Sequence, residues 1–531
     1  MDALLLAVVG SAVLVTALAR HFNLSAPLVL VGVGLVFGII PAIPDVTMGS
    51  DLVLFVLLPP LLWSAGLDSS YLNMRRNARS ISLLAVGLPL ATTLAVGVVA
   101  YAVVPALTLP AAFTLGAIVA PPDAVSATAV GRRLGLPRRV MTLLTGESLL
   151  NDATALTAYK VALGAAIGAT VTVGGGLAVF VTAAVGGVVT GLTLGFLLVW
   201  VRAKLTDPLA ESAVGLVAPF VIYLVAEMVE GSGVVAVVVA ALLLGQRFTR
   251  AHYATRLQDQ AVWRALTLML ESFAFMLIGL QLPTVIGDLH GDTFAALLGA
   301  SAAVLAAVLG MRIVWVWAFA TLPRRFSARI RAREPAATAA EVAVLAWAGM
   351  RGVVSLAAAF GVPVLTLSGY NFPGRPQLVF LTFVVVVGTL LLHGLTLPWL
   401  IRRLGVYGDE ARTDAVAAAT AQDKAARAAL ERLDEVLASS EPSQTTERAA
   451  EVLRVMNTRR RNAARERLRR HDDTAELIDE SVSDTFKWLR LQMLAAERAT
   501  FIAERDAGHI DDQVLRALMH GLDLEEAALN L

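Results

Sequence analysis

Three short polar segments interrupt long apolar runs, and each gathers side chains able to bind ions or hold a proton. Ala120-Pro121-Pro122-Asp123-Ala124-Val125-Ser126 sets two prolines in mid-run. Each proline removes an amide donor and drives its ring into the preceding turn, so the helix must break. Freed carbonyls in an apolar setting survive only where they line a cavity or coordinate something. Asp123, directly after the break, therefore points to a binding site more than to a plain kink. In Gly146-Glu147-Ser148-Leu149-Leu150-Asn151-Asp152-Ala153-Thr154, Ser148 and Asp152 are four residues apart, as are Glu147 and Asn151. All four share one broad helix face. Two carboxylates and an amide there require a partner helix, a cation or water. Trp347-Ala348-Gly349-Met350-Arg351-Gly352-Val353-Val354-Ser355 puts a guanidinium between glycines, and it needs an acidic partner. Glu147 is the expected one, which leaves Asp152 without a neutralising charge and free for chemistry.

The elements that position these segments follow from the distribution of charge. Charged residues make up 16% of the 531, against about 25% in soluble domains. They are uneven: 42 lie in residues 1–404 and 43 in residues 405–531. That split excludes a single soluble globular domain. It predicts a membrane body over 1–404 and a water-facing tail over 405–531. The absence of cysteine excludes disulfides, thiolate metal sites, iron–sulfur clusters and thiol nucleophiles together.

Apolar runs of membrane-spanning length occupy 3–19, 26–43, 51–67, 79–104, 110–130, 139–168, 172–201, 211–228, 232–248, 261–282, 293–321, 338–366 and 377–402. The expected fold is thus an all-α polytopic membrane protein of about 13 transmembrane helices with a helical cytoplasmic tail. Every second loop is basic, from Arg20 through Arg75, Arg76 and Arg79 to Arg324 and Arg325, whereas Arg375 stands alone on the opposite side. Because basic loops are poorly translocated, the N-terminus is expected outside and the tail in the cytoplasm. Met1-Asp2 leads into an apolar run with no basic segment before it, so the first helix is expected to be retained. In the tail, Ala, Leu, Glu and Arg dominate 411–438, 445–471 and 475–504, with a break at Glu441-Pro442-Ser443. Apolar residues there recur at helical spacing, and no GxGxxG follows a strand pattern, so nucleotide sensing is unsupported.

With 172–201 as a linker, the other twelve runs form two six-helix halves of inverted topology. The fifth helix of each half is the interrupted one, by Pro121-Pro122 in the first and by Gly349 and Gly352 in the second. Corresponding broken helices in inverted repeats mark a transporter's midplane site. Other ionisable groups have plainer readings. Arg312 and Glu341 lie towards span ends, where snorkelling would carry their charges to water. Lys160, Glu227, Glu271 and His393 lie deeper, each open to an interhelical hydrogen bond or a direct role.

At these residues the chain resembles the bacterial sodium/proton exchangers of the monovalent cation:proton antiporter-1 family. The resemblance rests on Gly146-Glu147-Ser148 with Asn151-Asp152, on Pro122-Asp123 in a broken helix, and on Gly349-Met350-Arg351-Gly352. It extends to Leu58-Pro59-Pro60-Leu61-Leu62, to Leu391 through Pro398, and to the tail from Glu504 to Leu529. The likeness implies a secondary active antiporter, not an enzyme, exchanging Na+, Li+ or K+ for H+ in the bacterial plasma membrane and serving pH homeostasis. It implies a homodimer in the lipid bilayer, with no cofactor and no nucleic-acid partner. By that likeness Asp152 binds cation and proton in turn, and Ser148 and the carbonyl of Pro122 are further ligands. Asp152 and Ser148 would then be transient Na+ ligands. Asn151 and Asp123 would steady the crossing of the broken helices, and Glu147–Arg351 would be a structural ion pair. One position departs from the pattern: Trp63-Ser64 stands where many members carry an acid.

Oxygen ligands suit a hard monovalent cation, and Asp152, Ser148 and the carbonyls around Pro121-Pro122 supply them. A bare buried carboxylate carries a desolvation penalty, so only the proton-bound or cation-bound forms cross readily. A single acid after Asn151 implies electroneutral exchange. Two rivals come from other classes. An intramembrane aspartyl protease would pair Asp123 with Asp152 but leaves Arg351 unexplained. A cation channel would show a filter loop or a repeated pore ring, and the sequence has neither.

Overall fold

The computed structural model describes residues 2–22, 24–40, 50–169, 173–247, 253–287, 289, 294–327, 337–408, 410–439, 444–470, 482–507, 509 and 512–529. Its contacts divide into two compact units, Met1–Gly408 and Asp409–Leu531. The tail break at 441–443 and the arginines at 250, 329, 331 and 333 lie outside the described residues.

The first unit is built of α1 (Asp2–His21), α2 (Ala26–Ile39), α3 (Ser50–Leu67), α4 (Tyr71–Arg76), α5 (Ala78–Ser82), α6 (Leu88–Val103), α7 (Leu109–Val119) and α8 (Ala124–Leu134). It continues with α9 (Arg138–Ala166), α10 (Val173–Arg202), α11 (Pro208–Met228), α12 (Gly233–Gly245), α13 (Tyr253–Gly287) and α14 (Phe294–Phe326). The last three are α15 (Ala339–Trp347), α16 (Val353–Phe360) and α17 (Arg375–Leu404). A π-helical turn, Leu83–Gly87, joins α5 to α6, and the indole of Trp315 donates to the Leu83 carbonyl there at 2.9 Å.

Six stretches among the described residues are long and apolar enough to cross a membrane: Ala78–Val103 and helices α10, α11, α13, α14 and α17. Five further apolar helices are shorter, at 10–17 residues. Length and composition alone therefore give six spans where the sequence predicts thirteen. Part of the shortfall has local causes. Prolines and glycines split runs 110–130 and 338–366 into α7 with α8 and α15 with α16. Each half falls short of the roughly 20 residues a span needs. The polar second segment dilutes the apolar character of α9.

Glycines set the closest packing in this unit. A Cβ at Gly34, Gly38 or Gly279 would collide with the backbone of the facing helix, so α2 and α13 touch main chain to main chain. Small residues four apart permit such an approach within a bilayer, where dispersion contact takes over from the hydrophobic effect. Glu341, expected to snorkel, instead closes a capping box at the start of α15: Thr338 donates its amide to Glu341 at 2.7 Å, and the Glu341 amide donates to the Thr338 hydroxyl at 3.1 Å.

The second unit comprises α18 (Glu410–Ser439), α19 (Gln444–Arg470), α20 (Val482–Asp506) and α21 (Asp512–Leu529). They pair as α18 with α19 and α20 with α21. Ion pairs lace each hairpin: Asp423 with Arg427 and Arg461, Asp434 with Arg454, and Glu525 with Arg490.

Candidate functional site

Two breaks meet inside the membrane unit. Helix α7 stops at Val119 and α8 begins at Ala124, so Pro121 and Pro122 leave the last carbonyls of α7 without helical partners. Helix α15 stops at Trp347 and α16 begins at Val353, with Gly352 as its extended N-cap. The amide of Asp123 donates to the carbonyl of Met350 at 2.7 Å, tying one break to the other. A Cβ on Gly352 would stand 2.7 Å from the Cβ of Asp123, so this crossing requires glycine.

An arginine serves the C-terminal end of each half-helix. Arg351, fully buried, donates Nε to the Val119 carbonyl at 3.0 Å and Nη2 to the Ala120 carbonyl at 3.4 Å, both at the end of α7. It also donates to the carbonyl of Gly349, and its amide donates to the Thr389 hydroxyl at 3.0 Å. Arg312 of α14 does the same for α15, donating Nη2 to the carbonyls of Leu345 at 3.1 Å and Ala348 at 3.0 Å. A cation is favoured at both ends, because the unsatisfied carbonyls and the helix dipole make them negative.

The expected Glu147–Arg351 ion pair is not the one formed. Glu147 takes a bidentate grip from Arg312, Nη1 to Oε1 at 2.5 Å and Nη2 to Oε2 at 3.0 Å. Arg351 spends its donors on carbonyls instead. Arg312 does not snorkel either, being 1% exposed. Its depth was readable, since nine residues of its run follow it, but the choice of partner depends on how α14 lies against α9. Thr389 is a further residue the motifs did not mark; only its place in the last apolar run pointed to it.

The second segment lies on α9 beside this crossing. Asn151 is fully buried and donates Nδ2 to the Pro122 carbonyl at 2.8 Å, and its Oδ1 has no partner among the described residues. That carbonyl keeps a second lone pair. Asp152 is 8% exposed, and its carboxylate has no hydrogen bond or ion pair among the described residues. Glu147 and Asp152 thus differ sharply: one acid is neutralised, the other is not. Ser148 is half-buried and engaged in contacts, as is Asp123, and the side chains of residues 124–126 lie outside the described residues. Of the deeper ionisable groups, Lys160 pairs with Glu227 at 2.8 Å, Glu227 also accepts the Gly233 amide at 3.1 Å, and His393 meets Trp347 edge-on at 5.1 Å.

Known proteins place this arrangement in a class. The family model for the transmembrane sodium/hydrogen exchanger matches residues 9–403. An uncharacterized Na(+)/H(+) exchanger of Mycobacterium tuberculosis is 33% identical over 99% of this chain and 95% of its own length. The Na(+)/H(+) antiporter ApNhaP of Aphanothece halophytica is 32% identical over 78% of this chain and 75% of its own. Among solved structures, the sodium proton antiporter MjNhaP1 of Methanocaldococcus jannaschii superposes with a TM-score of 0.60 at 21% identity, over 75% of this chain and 97% of that one. These likenesses define a polytopic membrane transporter of the NhaP fold class. The chain belongs to the sodium/hydrogen exchanger family, whose members carry out secondary active exchange of Na+ or a related cation for H+, and it is not an enzyme.

Proposed function

We propose that exchange proceeds by competition of one cation and one proton for Asp152. The observation that carries this reading is the carboxylate of Asp152: deep in the membrane unit, beside two crossed breaks, and without a partner among the described residues. Ser148 and the free lone pair of the Pro122 carbonyl complete the ligand set, with water. Asn151 and Asp123 hold the crossing in register. Arg312 and Arg351 keep the surrounding carbonyls and Glu147 satisfied, so Asp152 is the one charge that changes. Either H+ or the cation removes its desolvation penalty, and that requirement couples the two fluxes.

The same reading takes the chain as thirteen crossings in two inverted halves, N-terminus outside and tail in the cytoplasm, acting as a homodimer in the bacterial plasma membrane. The alternation of basic loops supports the orientation, and the matching positions of the two broken helices support the inversion. Na+, Li+ and K+ are all candidate substrates. The tail, residues 405–531, has a regulatory or assembly role.

Cation-dependent fluorescence dequenching in everted vesicles tests the mechanism. Wild type should respond to at least one of Na+, Li+ and K+, and Asp152→Asn should abolish the response while the protein still accumulates in the membrane. Persistent exchange in that variant would overturn the assignment. A single exchangeable charge also makes transport electroneutral, so an imposed potential should leave the rate in proteoliposomes unchanged; acceleration would refute the one-for-one stoichiometry.

A further inference from the structure

A cavity of about 1200 Å³ enters the membrane unit between α3, α10 and α13. Arg20, Arg132, Arg247 and Arg256, residues of the basic loops, line it, so it opens on the proposed cytoplasmic side; Arg264 and the exposed Asp68 line it too, and Glu211 and Asp259 there are paired with Arg202. Among the described residues none of α9 lines it, so it is separate from the Asp152 site. Glu271 of α13 does line it, half-buried, with no hydrogen bond or ion pair among the described residues. Thr267, one turn earlier on the same helix, lines it too, and its buried hydroxyl has no hydrogen-bond partner among the described residues. Ser64 of α3 adds a second hydroxyl to the same wall.

An acid in a membrane body without a partner is costly unless it meets water and a cation. Asp123 lies within electrostatic reach of both Glu271 and Asp152. Arginines lining the cavity lower the local concentration of cations, and a carboxylate without a partner restores it locally. One carboxylate with two hydroxyls is an oxygen set suited to a hard monovalent ion that keeps some of its water.

We propose that Glu271, with Ser64 and Thr267, forms a second, outer site for the transported monovalent cation, occupied before Asp152. This rests on the exchange reading above. The ion loses part of its hydration at Glu271 and then passes Asp123 to reach Asp152.

The test is the half-saturating Na+ concentration for dequenching in everted vesicles, where the proposed cytoplasmic face is outermost. Glu271→Gln should raise it at least about fivefold, the factor that one charge pair at 4 Å gives in a water-like medium. The maximal rate should fall by less than about twofold. Thr267→Val should raise it by a smaller factor. Ser64→Glu in the Glu271→Gln background should bring it back, because a carboxylate from α3 faces the same cavity, whereas a purely structural glutamate would not be rescued this way. In right-side-out vesicles the half-saturating concentration should not move. An unshifted value in Glu271→Gln, equal shifts on both faces, or absent rescue would each overturn the outer site. Should Glu271→Gln fail to reach the membrane, the Thr267→Val measurement decides, and no shift overturns the proposal. A wild type with no cation-dependent response would instead sink the exchange reading, so the two failures are distinguishable.

Discussion

The two broken helices reach the same geometry by different chemistry. The first is interrupted by Pro121-Pro122, which cannot continue a helix whatever surrounds them. The second is interrupted around Gly349 and Gly352, which permit a break but do not force one. Its shape is imposed from outside: Arg312 gathers the carbonyls of Leu345 and Ala348 and clamps them to Glu147. The first break is held by an amide from Asn151, the guanidinium of Arg351 and the tie from the Asp123 amide to Met350. One break is therefore written into the local sequence, and the other depends on a distant ion pair.

That contrast is easiest to break at the two arginines. Arg312→Ala and Arg351→Ala each strip carbonyls at a half-helix end, but only the former strands Glu147 as a buried charge. Arg312→Ala should therefore destabilise by about 3–5 kcal/mol more than Arg351→Ala, the range for opening a buried ion pair. Thermal unfolding of the detergent-solubilised protein, followed by tryptophan fluorescence, measures the gap. Equal losses would mean that Glu147 finds Arg351 once Arg312 is gone. Converting both members of the pair, Arg312→Met with Glu147→Leu, should recover most of the difference.

A smaller effect sharpens the role of glycine at the second break. Gly352→Ala places a methyl 2.7 Å from Asp123 Cβ, so the crossing must open. Overpacking of this kind costs about 1–3 kcal/mol. The same unfolding assay should register it, together with slower exchange, whereas Gly10→Ala, which meets nothing within 4 Å, should be silent.

The smallest effect lies in the second unit, whose ion pairs are partly exposed. Hydrogen bonds from Arg461 and then Arg427 hold the Asp423 carboxyl below the usual carboxylate range, and Arg490 does the same for Glu525. Carboxyls lowered in the folded state contribute their stability above the ordinary value, near pH 4, and lose it as pH falls through the lowered one. Protection of the tail from an acid-tolerant protease should therefore hold from pH 8 to about 5 and decline only below about 4. Exposed pairs are weak and screened, so salt should blunt the decline.

Sequence alone carried the parts of this molecule that rest on local rules. Pro121-Pro122 required a break, and the helical spacing of Glu147, Ser148, Asn151 and Asp152 gathered them on one face of α9. Pairing was less legible, because Glu147 and Arg312 are 165 positions apart and their meeting depends on how α14 packs. The expectation of Arg351 failed for a reason visible only in three dimensions: the carbonyls of Val119 and Ala120 claim its guanidinium first. Runs 110–130 and 338–366, read as single spans, are each two half-helices, because the breaks that build the site divide them.

Main-chain contact along Gly34, Gly38 and Gly279 has a mechanical consequence. With no layer of side chains between them, α2 and α13 sit at the smallest separation their backbones allow, and any displacement that brings a neighbouring Cβ to the contact must push them apart. They form a stiff spine, and Glu271 rides on it while Asp152 belongs to α9. The separation of those two carboxylates is thus set by how the spine leans against α9, which makes it the distance to follow through a transport cycle.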